Sequence, residues 1–486
     1  MKTLKQLEFN NTFHRLGKPF YSEVQPQGIS RPFLVSASEG VARLIGLDPD
    51  EICTPYFIDL FSGQALLPGF QALAMVYSGH QFGFYSPQLG DGRALLLGEV
   101  DGETGKWDLS LKGAGMTPYS RSGDGRSVLR SSIREFLCSE AMAGLGIPTT
   151  RALCVIGGED PVYRETLEKS ATLVRVTESH VRFGTFEYFH YSEKPEVLKR
   201  LADYVISHHF PEALASDEKY PHFFGEVIRR TAVMIAHWQA VGFAHGVMNT
   251  DNMSILGQTF DYGPFGFMED YDPGYICNHS DVKGRYAFQQ QPAIGLTNLN
   301  ALGYALSSLM PNEDLIRQLQ KYEPTLDDCY AGLMRKKMGL LGEQKEDPLL
   351  WTDLLQLMEN GGIDYTILFR TLSEYSIGGT NTELCKLFKD QEALGDWLDR
   401  YDDRLKQQED TEPSRKERMK AVNPKYILRN YLAQRAIEKA EKEQDYSEVN
   451  RLLSLLYHPF DEQEGMEAYA EAPPDWGKSL VISCSS

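Results

Sequence analysis

No apolar run in this 486-residue sequence approaches the ~20 residues that a bilayer-spanning helix requires, so no membrane segment is expected. The opening residues, MKTLKQLEFNNTFHRLG, lack the apolar stretch of a secretory signal. Basic residues are in deficit: 49 Lys plus Arg stand against 68 Asp plus Glu, a net charge of −19. A general nucleic-acid binder needs the opposite balance, because its affinity rests on neutralising phosphates. The deficit does not exclude a single nucleotide, since a few local Arg and Lys residues with a metal set the field inside a cleft. Cysteine is sparse and scattered (Cys53, Cys138, Cys154, Cys277, Cys329, Cys385, Cys484), and no CxxC pair occurs. Neither a zinc site nor a disulfide framework is indicated, and a reducing cytoplasm is the expected compartment. No repeat of 20–50 residues is visible, which disfavours solenoids and propellers.

What is present is enough apolar material, 42% of residues, to build a core, over a length of about three domains or one large two-lobed unit. Ala94–Val100 and Trp107–Lys112, split by the turn Asp101–Gly105, read as a hairpin. A glycine-rich polar stretch follows over Gly113–Arg126. Ser131 or Ser132 then caps a helix whose Ile133, Phe136, Leu137, Ala141 and Leu145 keep helical spacing. Strands are expected at Ala152–Ile156 and Ala171–Val176. Beyond Pro195 the pattern turns helical, with a strong amphipathic helix over Gly225–Val241 ending at Gly242. A charged linker is expected near Gln407–Lys420 and a short extended tail over Pro473–Ser486. The class is α+β: a small mixed lobe followed by helices.

The most informative string is His245–Gly263, HGVMNTDNMSILGQTFDYG. Kinase-like enzymes hold a metal with an Asn on a catalytic loop and an Asp at a downstream turn. Here Asn252 follows His245 by seven residues, and Asp261-Tyr262-Gly263 stands nine further on as a Tyr version of the D-F-G turn. Amide and carboxylate oxygens are the hard ligands that Mg²⁺ prefers. Upstream, Lys112 ends an apolar strand and Glu135 lies in the next helix, the order expected of a phosphate-binding lysine and its orienting acid. QLGDGRA offers Gly90, Gly92 and Arg93 where a loop would cover phosphates. The place of a kinase's base Asp, two residues after the loop His, is taken by Val247, which accepts no proton. Two readings follow: Asp251, next to Asn252, takes over as base, or the chain is an inactive relative retaining only the fold.

Together with KGAGMTPYSRSGDGRSVLRSSIREF, the string HGVMNTDNMS…DYGPFGFMEDYDPGYICNHSD closely resembles the selenoprotein O family (SelO/YdiU) of protein adenylyltransferases. The likeness runs nearly end to end, through NPKYILRNYLAQRAIEKA to the terminal SCSS. It implies a protein-kinase-like two-lobed fold: residues 1–70 an N-terminal extension, 71–190 the nucleotide-binding lobe, 191–330 the lobe with the catalytic and metal loops, and 331–486 a helical C-terminal extension. It implies ATP lying reversed in the cleft, with AMP passing to Ser, Thr or Tyr hydroxyls of protein substrates and pyrophosphate leaving, helped by Mg²⁺ or Mn²⁺. Matched by motif, Lys112 and Glu135 form the ion pair. Gly90, Gly92, Arg93, Lys112, Asp124, Gly125, Arg175, Arg182 and Asp261 hold the nucleotide. Asp251 is the base, and Asn252 and Asp261 are the metal ligands. Selenoprotein members carry selenocysteine near the chain end, which singles out Cys484, with Cys277 beyond the DYG turn as its expected redox partner. His180 and His190 read as ordinary polar loop residues, and Tyr188 and Phe189 as core. The rivals are UMP transfer from UTP, an ordinary phosphotransferase, and a nucleotide-binding pseudokinase without catalysis.

Overall fold

The computed structural model describes residues 1–483, and the element that organises it is a nine-stranded antiparallel sheet. In chain order the strands are β1 (Phe9–Asn10), β2 (Tyr21–Glu23), β3 (Phe33–Ala37), β4 (Leu73–Met75), a small separate hairpin β5 (Gly79–Gln81) and β6 (Phe84–Ser86), then β7 (Ala94–Asp101), β8 (Lys106–Lys112), β9 (Ser127–Val128), β10 (Arg151–Tyr163) and β11 (Leu167–Thr177). The main path runs β2-β4-β7-β8-β11-β10-β3, with β1 on β7 and β9 on β11. The expected hairpin is β7–β8, whose run ALLLGEV is buried because both faces of the sheet are covered. Successive residues serve opposite faces. Leu96, Val155 and Leu173 pack on the helix Leu129–Gly144, whereas Leu95, Leu111 and Val174 pack on the helices Glu39–Leu44 and Pro55–Phe61. The first 70 residues thus supply three strands and the backing of this sheet.

The strands expected at Ala152–Ile156 and Ala171–Val176 are present but longer, reaching Tyr163 and Leu167 at an exposed tip. The added residues mix Gly157, Gly158, Glu159, Asp160, Glu168 and Lys169 with the apolar Val162, Tyr163 and Leu167, so they form no continuous apolar run; pairing with each other extends them. The helix Leu129–Gly144 buries Ile133, Phe136, Leu137 and Ala141 as expected, but its N-cap is Val128. Ser131 and Ser132 sit inside the first turn and donate to the Val128 carbonyl at 3.2 and 2.9 Å.

The amphipathic helix begins earlier than its periodicity indicated, spanning Lys219–Val241, and stops at Gly242, whose φ of 74° is the left-handed cap glycine tolerates best. After it come two short strands, β12 (Phe243–Ala244) and β13 (Gly266–Phe267), and then helices as far as Tyr457. Among the described residues no helix is long and apolar enough to cross a membrane. The expected charged linker near Gln407–Lys420 is instead largely a helix, Glu412–Lys420. Thr411 caps it, Pro413 lies in its first turn, and Arg415 and Met419 are buried, with Arg415 donating to the Tyr375 carbonyl. Glu412, Lys416, Arg418 and Lys420 find charge partners, as in Arg418–Asp410 at 2.7 Å. The tail is not wholly extended either, since Asp475–Lys478 makes one helical turn.

Candidate active site

A cleft of about 590 Å³ opens between the sheet and the loops that follow the helix Lys219–Val241. Gly90, Gly92, Arg93, Lys112, Asp124, Gly125, Arg175, Arg182, Asp251, Asn252 and Asp261 all line it. Glu135 is brought to it from behind, 1% exposed.

Sheet register accounts for the basic wall. Lys112 on β8 stands opposite Leu173 on β11, and Arg175 opposite Ser110, so Lys112 and Arg175 share one face, two residues apart along neighbouring strands. Glu135, in the second turn of Leu129–Gly144, receives both: its two oxygens accept from Lys112 Nζ and Arg175 Nε. Arg175 also donates to Asp261 Oδ1, and Lys112 Nζ lies 3.6 Å from that oxygen. Burial disfavours ionisation of Glu135, but Arg175 and Lys112 outweigh it and hold the carboxyl below its ordinary range. Asp261, 31% of whose side chain remains exposed, is likewise held low by Arg175, Lys112 and Arg182 against its desolvation. Burial lowers Lys112 to about 8, with Glu135 opposing.

The catalytic-loop string is folded by its histidine. His245 stacks on Trp238 of the preceding helix, and its Nε2 meets the Phe260 carbonyl at 3.0 Å, which ties the loop to the residue before Asp261. Gly246 has φ 78°, and a Cβ there would lie 2.6 Å from the Pro264 carbonyl, so the two loops meet where only glycine fits. Tyr262 is buried and its hydroxyl pairs with Thr149, a partner that the phenylalanine of a D-F-G turn would not need. Asn252 donates from Nδ2 to the Val247 carbonyl at 3.1 Å, which leaves its Oδ1 as the amide's other face. Among the described residues no group of three or more His, Cys, Asp or Glu side chains gathers as a metal site. Asn252 Oδ1 and the Asp261 carboxylate, both at the cleft, are hard oxygen donors of a kind that suits Mg²⁺ taking its remaining ligands from phosphate and water.

Asp251 lies in a short 3₁₀ turn, Thr250–Asn252, and is 8% exposed. Its Oδ2 accepts from Gln81 Nε2 at 2.9 Å, while its Oδ1 is buried without a hydrogen-bond partner. Burial raises its pKa to about 6, against the Gln81 hydrogen bond and Arg182. Arg182 is no solvated strand-edge residue. Its guanidinium is sandwiched between Tyr77 and Phe260 at 4.1 and 4.5 Å, and donates to the Asp251 carbonyl at 3.0 Å.

Two glycine-rich loops form the other wall. Gly90 has φ 73°, and a Cβ there would lie 2.5 Å from the Tyr119 ring; a Cβ on Gly125 would overlap the Gly115 carbonyl at 2.1 Å. Asp124 is exposed and held by both guanidinium nitrogens of Arg164, at 2.8 and 3.0 Å. Arg93 is exposed to the cleft. His180 is not a loop residue in water: it is buried, bonded through N and Nδ1 to Asp108 Oδ2 at 3.2 and 3.3 Å, and burial keeps it neutral with a pKa of about 3. His190 lies in the helix Phe183–Tyr191, while Phe189 is core as expected. Cys277 is buried with Sγ 3.4 Å from the Ala244 carbonyl, and Cys484 lies outside the described residues.

Sequence reasoning missed Gln81, Asp91, Tyr77 and Phe260. Asp91 stood in view between Gly90 and Gly92, and its ion pair with Arg182 at 3.7 Å is the reason for a carboxylate there. Gln81 gave no signal, because its partner lies 170 residues away.

The family model described as "Protein adenylyltransferase SelO" matches residues 3–457. Proteins named "Protein nucleotidyltransferase YdiU" are similar along their entire length: from Vibrio vulnificus strain YJ016, 52% identical over 493 residues, and from Myxococcus xanthus strain DK1622, 52% over 489, each match covering 100% of both chains. One from Pseudomonas fluorescens strain SBW25 is 53% identical over 488 residues, again with 100% of both covered. A cleft with a buried basic wall, in a chain of this likeness, defines an enzyme of the nucleotidyltransferase class. The chain belongs to the SelO/YdiU family.

Proposed function

We propose that this enzyme transfers AMP from ATP to Ser, Thr or Tyr hydroxyls of other proteins in the cytoplasm, using a protein-kinase-like fold. Its nucleotide-binding and catalytic lobes would be residues 71–190 and 191–330, flanked by an N-terminal extension, 1–70, and a helical extension, 331–486. The observation that carries this reading is Asp251: a buried carboxylate with one oxygen held and the other unpartnered, beside a loop whose usual base position is Val247. As the acceptor hydroxyl oxygen attacks the α-phosphorus, its proton passes to the Asp251 carboxylate. The bond from that phosphorus to the bridging oxygen breaks, and its electron pair leaves on pyrophosphate. Lys112, Arg93, Arg175 and Arg182 stabilise the phosphate charge, with Lys112 and Arg175 aimed by Glu135. Gly90, Gly92, Asp124 and Gly125 let backbone approach the nucleotide. Asn252 and Asp261 would hold Mg²⁺ or Mn²⁺, whose chemistry is to neutralise charge on the phosphate oxygens.

Incubation of the purified protein with ATP labelled at either the α- or the γ-phosphate, and separately with α-labelled UTP, tests the reading. The α label should enter protein and the γ label should leave with pyrophosphate. Label from the γ position in protein would mean phosphoryl transfer, label only from UTP would mean uridylyl transfer, and no label from any would mean a non-catalytic scaffold.

The redox pairing of Cys277 with Cys484 stays part of the proposal. It draws support from the His279 amide, which donates to the Ile482 carbonyl at 2.8 Å and so brings the last described residues beside the Cys277 segment. After mild oxidation, unreduced peptide mapping should yield a linked Cys277–Cys484 peptide, and dithiothreitol should change activity in the wild type but not in Cys484→Ala. No linked peptide, or an unchanged response in the variant, removes the pairing.

A further inference from the structure

The hairpin β5–β6 lies outside the main sheet, and a two-stranded ribbon of this size is marginal alone in water. Its turn is Phe82-Gly83, with φ 50° and 89°, the two positive angles of the tight hairpin turn whose twist matches its strands. What holds it is the catalytic loop. The His80 amide donates to Thr250 Oγ1 at 2.7 Å, and the Phe82 amide to the Tyr286 hydroxyl at 2.9 Å, which itself donates to Asn249 Oδ1 at 2.6 Å. On the far side His80 Nδ1 meets the buried Glu187 at 3.0 Å. The approach is as close as a backbone permits: a Cβ on Gly79 would lie 2.6 Å from Asp251 Oδ1.

This ribbon brings Gln81 and Phe82 to the cleft, and Gln81 reaches Asp251. Only the amide nitrogen of Gln81 can face an ionised carboxylate, and it does so at 2.9 Å from Asp251 Oδ2. The terminal torsion of an aspartate is broad and roughly two-fold, so a carboxylate held by its backbone alone presents either oxygen at a range of angles. With Oδ2 engaged by Gln81 and Oδ1 packed against the Gly79 backbone, that freedom is removed and the carboxylate is held in one orientation.

We infer that Gln81 is a positioning residue for the reaction: the β5–β6 hairpin is docked on the catalytic loop so that the Gln81 amide fixes the Asp251 carboxylate in the orientation from which it takes the acceptor's proton. The inference rests on the reading of Asp251 as base, and extends it to a residue that the sequence motifs did not mark. It follows the general arrangement in which a base is itself oriented by a third group.

The test compares Gln81→Met, which keeps the length of the side chain but has no donor, with Gln81→Glu, which sets a second carboxylate against the first. In the full-length protein each should lower kcat by about 10–100-fold, the scale of a small misplacement at a reacting centre. Affinity for ATP with metal, by calorimetry, should stay within about threefold, and Gln81→Met should add nothing to the loss already caused by Asp251→Asn, because residues acting as a unit are non-additive. If Gln81→Met or, should that variant not fold, Gln81→Glu keeps wild-type kcat while Asp251→Asn is inactive, the positioning role is overturned and the base stands. A loss that multiplies with that of Asp251→Asn, or that appears mainly as weaker ATP binding, also overturns it, as structural damage. If Asp251→Asn itself stays active, it is the base assignment that falls.

Discussion

Replacing Asp251 with alanine should lower nucleotidyl transfer by about 10²–10⁴-fold, the usual cost of losing a positioned base, and leave ATP affinity nearly unchanged. The catalytic loop offers no substitute, since Val247 stands two residues after His245 and Asn252 is committed to the Val247 carbonyl. Asp251 touches the rest of the cleft through Gln81 and through its own main-chain carbonyl, which Arg182 holds. The alanine variant keeps that carbonyl, so Arg182 stays in its aromatic sandwich and the basic wall is preserved. Single-turnover transfer from α-labelled ATP, beside calorimetric affinity, separates the two quantities. Activity within tenfold of wild type would remove Asp251 from the mechanism.

The second large effect is expected at Asp261. Its carboxylate meets both Arg175 and Lys112, so removing it leaves two buried cations facing Glu135 alone. A nucleotide would still be drawn to that wall, but without the carboxylate that is to share the metal. Asp261→Ala should therefore lower transfer by about 10²–10³-fold and flatten the dependence of both rate and ATP affinity on Mg²⁺. Asp261 sits at φ 64°, a left-handed angle that Asn also tolerates, so Asp261→Asn keeps the backbone unstrained and isolates the charge. Asn252→Ala should shift metal dependence in the same direction. Titrating Mg²⁺ against transfer rate and against calorimetric affinity checks both; an unchanged metal response in both variants would show that the two residues do not share a cation.

The elements that could be read in advance are those whose signal is local. Ala94–Val100 with Trp107–Lys112 is a hairpin because apolar runs flank a Gly-containing turn, and the helix ending at Gly242 declares itself by periodicity and its cap. Glu412–Lys420 was obscured because its charges outweigh its two buried residues, although Thr411 and Pro413 mark a helix start. The outer halves of β10 and β11 hold together through pairing with each other, which no run of residues records.

The sequence by itself determined which residues stand ready at the cleft: the spacing from His245 to Asn252 and Asp261, the lysine at the end of a strand, and a valine at position 247. Those are properties of one short segment after another, and the chain carries them whether or not it is folded. Beyond the expected Lys112–Glu135 pair, tertiary structure decided which further groups join that charge network. Lys112, Glu135, Arg175 and Asp261 come from β8, a helix, β11 and a loop, and only sheet register and helix packing turn them into one buried network. It also decided that Asp251 meets Gln81, because side-chain orientation depends on groups that approach through space, and separation along the chain bears no relation to that distance.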